Sequence, residues 1–101
     1  MNYKDLDSQM GLICDAIISI NDKETCEEFL KDICTINELY SIIQRLQVAL
    51  MLYKNKTYQD IAKVTHASTA TISRVNRCLN YGDNGYRKVL DNLPEEIREK
   101  Y

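Results

Sequence analysis

The sequence has few of the residues that catalytic sites, phosphate-binding loops and membrane spans require. Its 101 residues include three glycines, one proline and one histidine, and no Gly-rich phosphate-binding loop is present. The longest apolar run, residues 48–53, is far shorter than the roughly twenty residues that a membrane span needs. Residues 1–20 hold no basic start followed by an apolar run and a cleavage site. We therefore expect no signal peptide and a soluble, cytoplasmic protein.

The cysteines and the histidine form no recognisable metal, redox or catalytic motif. His66, the single histidine, has no nucleophile or carboxylate evidently paired with it. The cysteines match neither a CxxC pair nor a zinc-finger spacing, and we expect reduced thiols that pack as small buried apolar side chains. We therefore predict no catalytic residue and no metal site, and we expect that the protein is not an enzyme. The four cysteines are Cys14, Cys26, Cys34 and Cys78.

Charge is distributed unevenly along the chain, although the net charge is only −2. Residues 1–38 carry three basic and nine acidic side chains, which is a net charge of −6. Residues 39–90, the basic block, carry eight basic and two acidic side chains, which is a net charge of +6. Binding of a polyanion depends on the local field of the contacting face, so the basic block indicates such a partner despite a sequence pI of about 5.3.

Apolar residues recur at steps of three and four along most of the chain, which is the period of helices, and no segment alternates as a strand does. The first helix is predicted over residues 3–20. Asn21 with Glu24 predicts an N-cap that opens a short second helix, and Thr35 with Glu38 predicts the N-cap of a third. The sequence predicts a single all-α domain with about six helices.

The third helix, which we expect to end near Asn55, is apolar on opposite faces. At about 100° per residue, Val48 and Leu52 fall opposite Leu39 and Ile43. A helix that is apolar on both sides must be buried on both sides, and a short chain has few other elements to cover it. We therefore predict a homodimer in which a second subunit covers this helix, with a central helix in a monomeric bundle as the alternative.

Residues 58–77 fit a helix-turn-helix, in which two short helices are joined by a three-residue turn. Thr57 and Ser68 predict the two N-caps. His66 lies in the turn where glycine is usual, because the chain adopts a left-handed conformation after the first helix. The core of the helix pair is predicted from four apolar residues, which are Ile61, Val64, Ile72 and Val75.

The remaining face of the second helix offers hydroxyls, a methyl group and arginines, which suits the major groove of double-stranded DNA. Hydroxyls and methyls meet base edges there, arginines reach guanine or phosphate, and neighbouring lysines contact phosphates. A helical hairpin that only packs is the alternative. The predicted DNA-binding residues are Gln59, Ser68, Thr69, Ala70, Thr71, Ser73, Arg74 and Arg77, with Lys54, Lys56 and Lys63 at phosphates.

Three segments carry a resemblance to a known family: residues 57–79, residues 35–39 (Thr-Ile-Asn-Glu-Leu) and residues 44–46 (Gln-Arg-Leu). They resemble the Trp repressor superfamily and, more narrowly, the Trp-repressor-related (YerC/YecD-like) family of Gram-positive bacteria. The strongest similarity lies at residues 67–82, and the whole extends over roughly residues 9–93. The resemblance implies an intertwined homodimer that presents one helix-turn-helix per subunit to successive major grooves about 34 Å apart.

The helical pattern and the resemblance together divide the chain into parts. The resemblance implies one Trp-repressor-like domain over residues 1–101, with a helical dimerisation part at 1–55. The helix-turn-helix then spans residues 57–80 and the last helix residues 85–93. Residues 94–101 are expected to form a charged tail.

A small-molecule pocket is a further implication of the resemblance. In Trp repressor, tryptophan is held between the third helix and the recognition helix by a threonine and two arginines, whose matches here are Thr35, Arg45 and Arg74. The residue after the second arginine is glycine in the repressor and Val75 here, and this branched side chain would intrude where the indole lies. We therefore expect another small-molecule co-repressor or none, rather than tryptophan.

The sequence as a whole predicts a DNA-binding transcriptional regulator, a repressor that occupies a near-palindromic operator as a homodimer. The alternative is a protein-interaction module whose basic surface docks an acidic protein partner. Only groove reading depends on the shape of the exposed face of the second helix. A bulky substitution on that face therefore separates the two hypotheses.

Overall fold

The computed structural model describes the backbone of residues 3–101 and the side chains of residues 5–101, and it is helical throughout. Over these residues no strand occurs, and no helix combines the length and apolar character needed to cross a bilayer. The all-α class is confirmed, with seven helices where about six were predicted. They are α1 (Tyr3–Ser19), α2 (Lys23–Ile33), α3 (Ile36–Tyr53), α4 (Tyr58–Thr65), α5 (Thr69–Tyr81), α6 (Gly85–Asn92) and α7 (Glu95–Lys100).

The chain divides into two compact units, Met1–Leu39 and Tyr40–Tyr101. Among the described residues of the first unit, none is buried. Leu12 and Ile18 on α1 are 81% and 79% exposed. The helices of this unit therefore have no closed apolar core in a single copy of the chain.

The four cysteines are free thiols, but the expectation that they are buried is wrong. Cys14 on α1 and Cys78 on α5 are exposed, and Cys26 and Cys34 are half-buried. Three of the four lie in the first unit, where none of the described side chains is buried. These three are not buried because that unit has no core to receive them, and Cys78 lies on the exposed side of α5.

The second unit has an apolar core in which four helices meet. Ile61, Ile72 and Leu90 are fully buried and bring together α4, α5 and α6. The C-terminal half of α3 supplies the fourth side. Full burial of each such aliphatic side chain stabilises the fold by about 1.5–3 kcal/mol. The buried apolar residues are Val48, Ala49, Leu50, Ile61, Ala67, Ile72, Val75, Leu79 and Leu90.

The expectation that Val64 belongs to this core is wrong. Val64 is 65% exposed, whereas the neighbouring Thr65 is buried. At about 100° per residue, Thr65 lies about 40° from Ile61 on the side of Ala62, while Val64 lies about 60° away on the other side. The buried face of α4 is centred between Ile61 and Ala62, so Val64 falls outside it.

The helix caps show where local sequence chemistry decides the fold. The predicted cap at Thr35 is confirmed, since Glu38 N–H donates to Thr35 Oγ1 at 3.1 Å and Thr35 N–H donates back to Glu38 Oε1 at 2.8 Å. This backbone hydrogen bond from Thr35 lowers the pKa of the Glu38 carboxyl. The sequence Thr-Ile-Asn-Glu thereby satisfies two backbone donors at the start of α3.

The cap predicted at Asn21 is wrong by one residue. Asp22 is the N-cap of α2, and its Oδ2 accepts from the Thr25 N–H at 2.9 Å. This hydrogen bond lowers the pKa of the Asp22 carboxyl. A carboxylate is the stronger acceptor and is favoured by the positive end of the helix dipole, which explains why Asp22 takes the position.

The end of α3 directs the chain toward the helix-turn-helix. Asn55 adopts a left-handed conformation at φ 63°. Lys56 N–H donates to the Met51 carbonyl at 3.0 Å, and Asn55 N–H donates to the Leu52 carbonyl at 2.9 Å. These two bonds form a Schellman motif, which stops α3 and confirms the predicted end near Asn55.

The charged tail expected at residues 94–101 contains a helix, α7. Pro94 precedes it, acidic Glu95 and Glu96 occupy its first turn, and basic Arg98 lies in its last, an order that complements the helix dipole. Arg98 Nη1 donates to the carbonyl oxygens of Leu90 at 2.8 Å and Asp91 at 3.2 Å. Arg98 therefore attaches α7 to the end of α6.

Candidate nucleic-acid interface

The helix-turn-helix consists of α4 and α5, which begin at the predicted caps. Thr57 Oγ1 accepts from the Asp60 N–H at 3.1 Å at the start of α4. At its end, His66 is left-handed, with φ 60° and ψ 17°, and its N–H donates to the Ala62 carbonyl at 2.9 Å. His66 therefore takes the glycine-like position that the sequence predicts, which lets the chain turn sharply into α5.

Two polar residues that were not predicted to act here stabilise this turn. The Thr65 hydroxyl donates to the Ile61 carbonyl at 2.7 Å and accepts from the Ala67 N–H at 3.2 Å. From α3, Gln44 Nε2 donates to the Thr65 carbonyl at 3.1 Å. The signal in the sequence was a glutamine one turn before Val48, on the same face of the third helix. Together these bonds attach the turn to the core, so the angle between α4 and α5 is fixed from within.

The N-terminus of α5 is capped by Ser68, as predicted. Ser68 Oγ accepts from the Thr71 N–H at 3.1 Å and donates its own proton to Thr71 Oγ1 at 3.0 Å. Thr71 is half-buried, whereas Ser68 is exposed. The Thr71 hydroxyl is therefore engaged in the N-terminal cap of α5. Its role in the structure is to stabilise the start of this helix.

The outward face of α5 carries the residues predicted to read a groove. Thr69, Ala70, Ser73, Arg74 and Arg77 are all exposed. Within the described part of the chain, neither arginine has a hydrogen-bond or ion-pair partner. The opposite face is buried in the core. One rigid helix thus presents short side chains and two unneutralised guanidinium groups to solvent.

The other predicted contacts lie on α4 and in the segment that precedes it. Gln59 and Lys63 on α4 are exposed, and so is Lys56 in the loop that leads to it. Lys54 is half-buried beside the end of α3. Nine of the eleven predicted DNA-binding residues are therefore exposed, the half-buried ones being Lys54 and Thr71.

The residues predicted to line a small-molecule pocket have separate structural settings. Thr35 is engaged in the cap of α3. Arg45 on α3 and Arg74 on α5 are exposed. Val75, which follows Arg74, is 2% exposed and belongs to the apolar core. The volume that a glycine would leave open at this position of α5 is thus occupied by a packed side chain.

The similarity of this chain to known proteins agrees with the geometry. Residues 8–94 match the family model described as Trp repressor protein. The chain is 50% identical over 91 residues to the uncharacterized protein YerC of Bacillus subtilis, a match covering 90% of this chain and 88% of YerC.

Two solved structures are also similar. A TrpR-like protein from Eubacterium eligens has 50% identity and a TM-score of 0.78, with 83% of this chain and 87% of that chain covered. A Trp repressor candidate from Staphylococcus aureus has 42% identity and a TM-score of 0.80, with 90% and 92% covered. The family match spans α4, α5 and the turn between them, and we conclude that this chain belongs to the Trp repressor family.

Proposed function

We propose that this protein is a cytoplasmic transcriptional regulator that binds a near-palindromic DNA operator as a homodimer and represses by occupying it. The observation that carries the proposal is the outward face of α5. It places Thr69, Ala70 and Ser73 beside Arg74 and Arg77, all exposed, on a helix whose other face is buried in the core. Membership of the Trp repressor family supports the same assignment.

The size and chemistry of this face match the major groove. The groove is about 12 Å wide and admits one helix, provided that the side chains at the helix start are short. Thr69, Ala70 and Ser73 meet that requirement, and they can contact base edges and thymine methyls. Arg74 and Arg77 then reach guanine or phosphate, and the exposed Lys56 and Lys63 contact the flanking phosphates together with Gln59 and Lys54.

Substitution of Ser73 by leucine tests whether α5 reads bases. We expect the Ser73→Leu protein to lose its preference for operator over random DNA by about tenfold or more, because a large side chain at the groove floor displaces its neighbours from the bases. Competition binding with operator and random duplexes measures this ratio. Ser73→Ala, which removes the hydroxyl without adding volume, is the matched control and keeps wild-type affinity for random DNA.

An unchanged ratio in Ser73→Leu would contradict groove reading. It would favour the alternative function, in which the basic surface docks an acidic protein, because such a contact depends on charge and not on the volume of Ser73. Ser73 serves better for this test than Thr71. The Thr71 hydroxyl is engaged in the cap of α5, so its replacement would also disturb the helix.

The proposal of a homodimer rests on apolar side chains that a single chain leaves uncovered. Met10 and Ile17 on α1 are 45% and 52% exposed, and Ile43 and Leu46 on α3 are 49% and 45% exposed. Monomeric proteins rarely leave extended apolar surfaces of this kind in water. A second copy of the chain is the partner that covers them in the proposed assembly, with one helix-turn-helix on each protomer.

Substitution of Ile43 by glutamate tests the dimer. We expect the wild-type protein to have about twice the 11.7 kDa chain mass in sedimentation equilibrium, and Ile43→Glu to shift the equilibrium toward one chain mass, because it would bury an unpaired carboxylate. Asn37→Glu adds the same charge at an exposed polar position of α3 and is the matched control. If wild type and both variants all had the mass of a single chain, the homodimer would be contradicted.

A small-molecule effector is a further element of the proposed function. Thr35, Arg45 and Arg74 are the candidate pocket residues, carried over from the resemblance to Trp repressor. Val75 is packed in the core beside Arg74, which disfavours the flat indole of tryptophan in that place. We therefore propose that DNA binding does not require tryptophan.

A further inference from the structure

Asn76 and Asn80 on the C-terminal half of α5 and Arg87 on α6 are joined by side-chain hydrogen bonds, and we call these three residues the ladder. Asn80 Nδ2 donates to Asn76 Oδ1 at 2.9 Å and to the Asn76 carbonyl at 3.0 Å. Asn80 Oδ1 in turn accepts from Arg87 Nη2 at 2.8 Å. The amide orientation of Asn80 is set by its bonds to Asn76, so its oxygen points toward Arg87. The guanidinium of Arg87 is thereby held against α5.

The ladder holds Arg87 without neutralising it. The partner is a neutral amide, and no carboxylate of the described residues forms an ion pair with this guanidinium. A guanidinium has five N–H donors, and only one is used here. Arg98 differs, since its Nη1 donates to two backbone carbonyls and its guanidinium lies 5.8 Å from the centre of the Tyr53 ring. Arg98 thus has a structural task, whereas Arg87 is oriented by one hydrogen bond and forms no ion pair within the described residues.

The position of the ladder on α5 indicates which part of a bound DNA duplex Arg87 would contact. Asn80 follows Ser73 by seven residues, which returns it to within about 20° of the same helical face. It lies about 10 Å further along the helix axis, close to the 12 Å width of a major groove. If the start of α5 lies in the groove, Asn80 and Arg87 therefore lie at its edge, where the phosphates run, and not over the bases.

We propose that Arg87 is a further DNA-binding residue that contacts a backbone phosphate and that Asn80 is the residue that positions it. This inference rests on the proposed function of α5 as the helix that enters the groove. Fixing the guanidinium before binding lowers the entropy lost on contact, which is the benefit of a preorganised donor. Phosphate contacts of this kind set the position of the protein on the duplex and carry no sequence preference themselves.

The test compares the salt dependence of DNA binding in six full-length proteins, which are wild type, Arg87→Ala, Arg87→Lys, Asn80→Ala, the double variant Asn80→Ala/Arg87→Ala and Lys31→Ala. Each removed phosphate contact lowers the steepness of log K against log salt by about 0.9, so we expect a loss of about 1.8 in Arg87→Ala if the protein binds as a dimer. Affinity for operator and for random DNA should fall by a similar factor, about fivefold to tenfold in total, at low salt. Arg87→Lys keeps the charge and should recover most of the slope.

Asn80→Ala separates positioning from direct contact. Asn80→Ala removes no charge, and we expect it to lower the affinity for DNA when Arg87 is present. The double variant Asn80→Ala/Arg87→Ala should bind DNA as tightly as Arg87→Ala alone. Lys31→Ala, which removes a positive charge from α2, is the matched control and should keep the wild-type slope. Circular dichroism melting of every variant shows whether a loss of binding follows from a loss of fold.

The outcomes separate this inference from the proposed function. A wild-type protein that prefers one DNA sequence, with an Arg87→Ala variant of equal affinity and slope, overturns the role of Arg87 and leaves the proposed function in place. A wild-type protein whose DNA binding shows neither sequence preference nor salt dependence overturns the proposed function, and the role of Arg87 falls with it.

Discussion

Replacing Arg74 and Arg77 together by alanine should weaken operator binding about 100-fold or more. Each exposed guanidinium lacks a partner within the described residues, so each is available to DNA. A bidentate contact to guanine contributes about 1–3 kcal/mol, and a dimer would lose four such groups. Fluorescence anisotropy with a labelled operator measures the loss. If both arginines contact phosphate, the slope of log K against log salt should also become shallower by about 3.6.

The control for this prediction removes the same number of charges elsewhere. Lys23→Ala with Lys31→Ala changes two exposed lysines of α2, which lie outside the basic block, and should leave affinity within about threefold of wild type because distant exposed charges are screened. Equal losses in the two double variants would mean that net charge alone drives binding. In that case the specific placement of Arg74 and Arg77 on α5 would not be the source of affinity.

Truncation of Ile61 to alanine should cost about 2–5 kcal/mol of unfolding free energy. Ile61 is fully buried between α4 and its neighbours, and its removal leaves a cavity that the close-packed surroundings cannot fill. Because small domains are stable by only about 5–15 kcal/mol, this loss is a large fraction of the total. Urea unfolding followed by circular dichroism, at one fixed protein concentration, measures it.

Val64→Ala is the matched control for this truncation. Val64 is three residues away on the same helix and is 65% exposed, so its truncation should change the unfolding free energy by less than about 0.5 kcal/mol. A loss in Val64→Ala as large as that in Ile61→Ala would contradict the packing of α4 described above. It would mean instead that a further surface covers Val64 in solution.

Much of the helix-turn-helix could be predicted from the sequence because its determinants are local. The caps at Thr57 and Ser68 follow from one hydroxyl and the backbone N–H three residues later. The left-handed turn at His66 follows from the length of the connection between two helices. The cap at Asn21 failed for an equally local reason, since Asp22 offers a stronger acceptor one residue further along.

The features that escaped prediction depend on contacts between different helices and not on the pattern within one helix. α7 has charged residues at five of its six positions and little apolar periodicity, and its visible support is Arg98, which bonds to the carbonyls of Leu90 and Asp91. The hydrogen bond from Gln44 to the Thr65 carbonyl joins residues 21 positions apart. The ladder joins Asn76 and Asn80, one turn apart on α5, to Arg87 on α6, and helical periodicity does not predict this contact between two helices.

The most direct test of the central claim is selection of bound DNA from a random duplex library by the purified full-length protein, with and without tryptophan. A homodimer whose α5 helices enter successive major grooves should enrich a two-fold-related site with half-sites about one helical turn apart. We expect the same site and the same enrichment in both conditions, since Val75, which is packed in the core beside Arg74, disfavours tryptophan as an effector. Failure to enrich any sequence in either condition would contradict the assignment of α5 as a groove-reading helix.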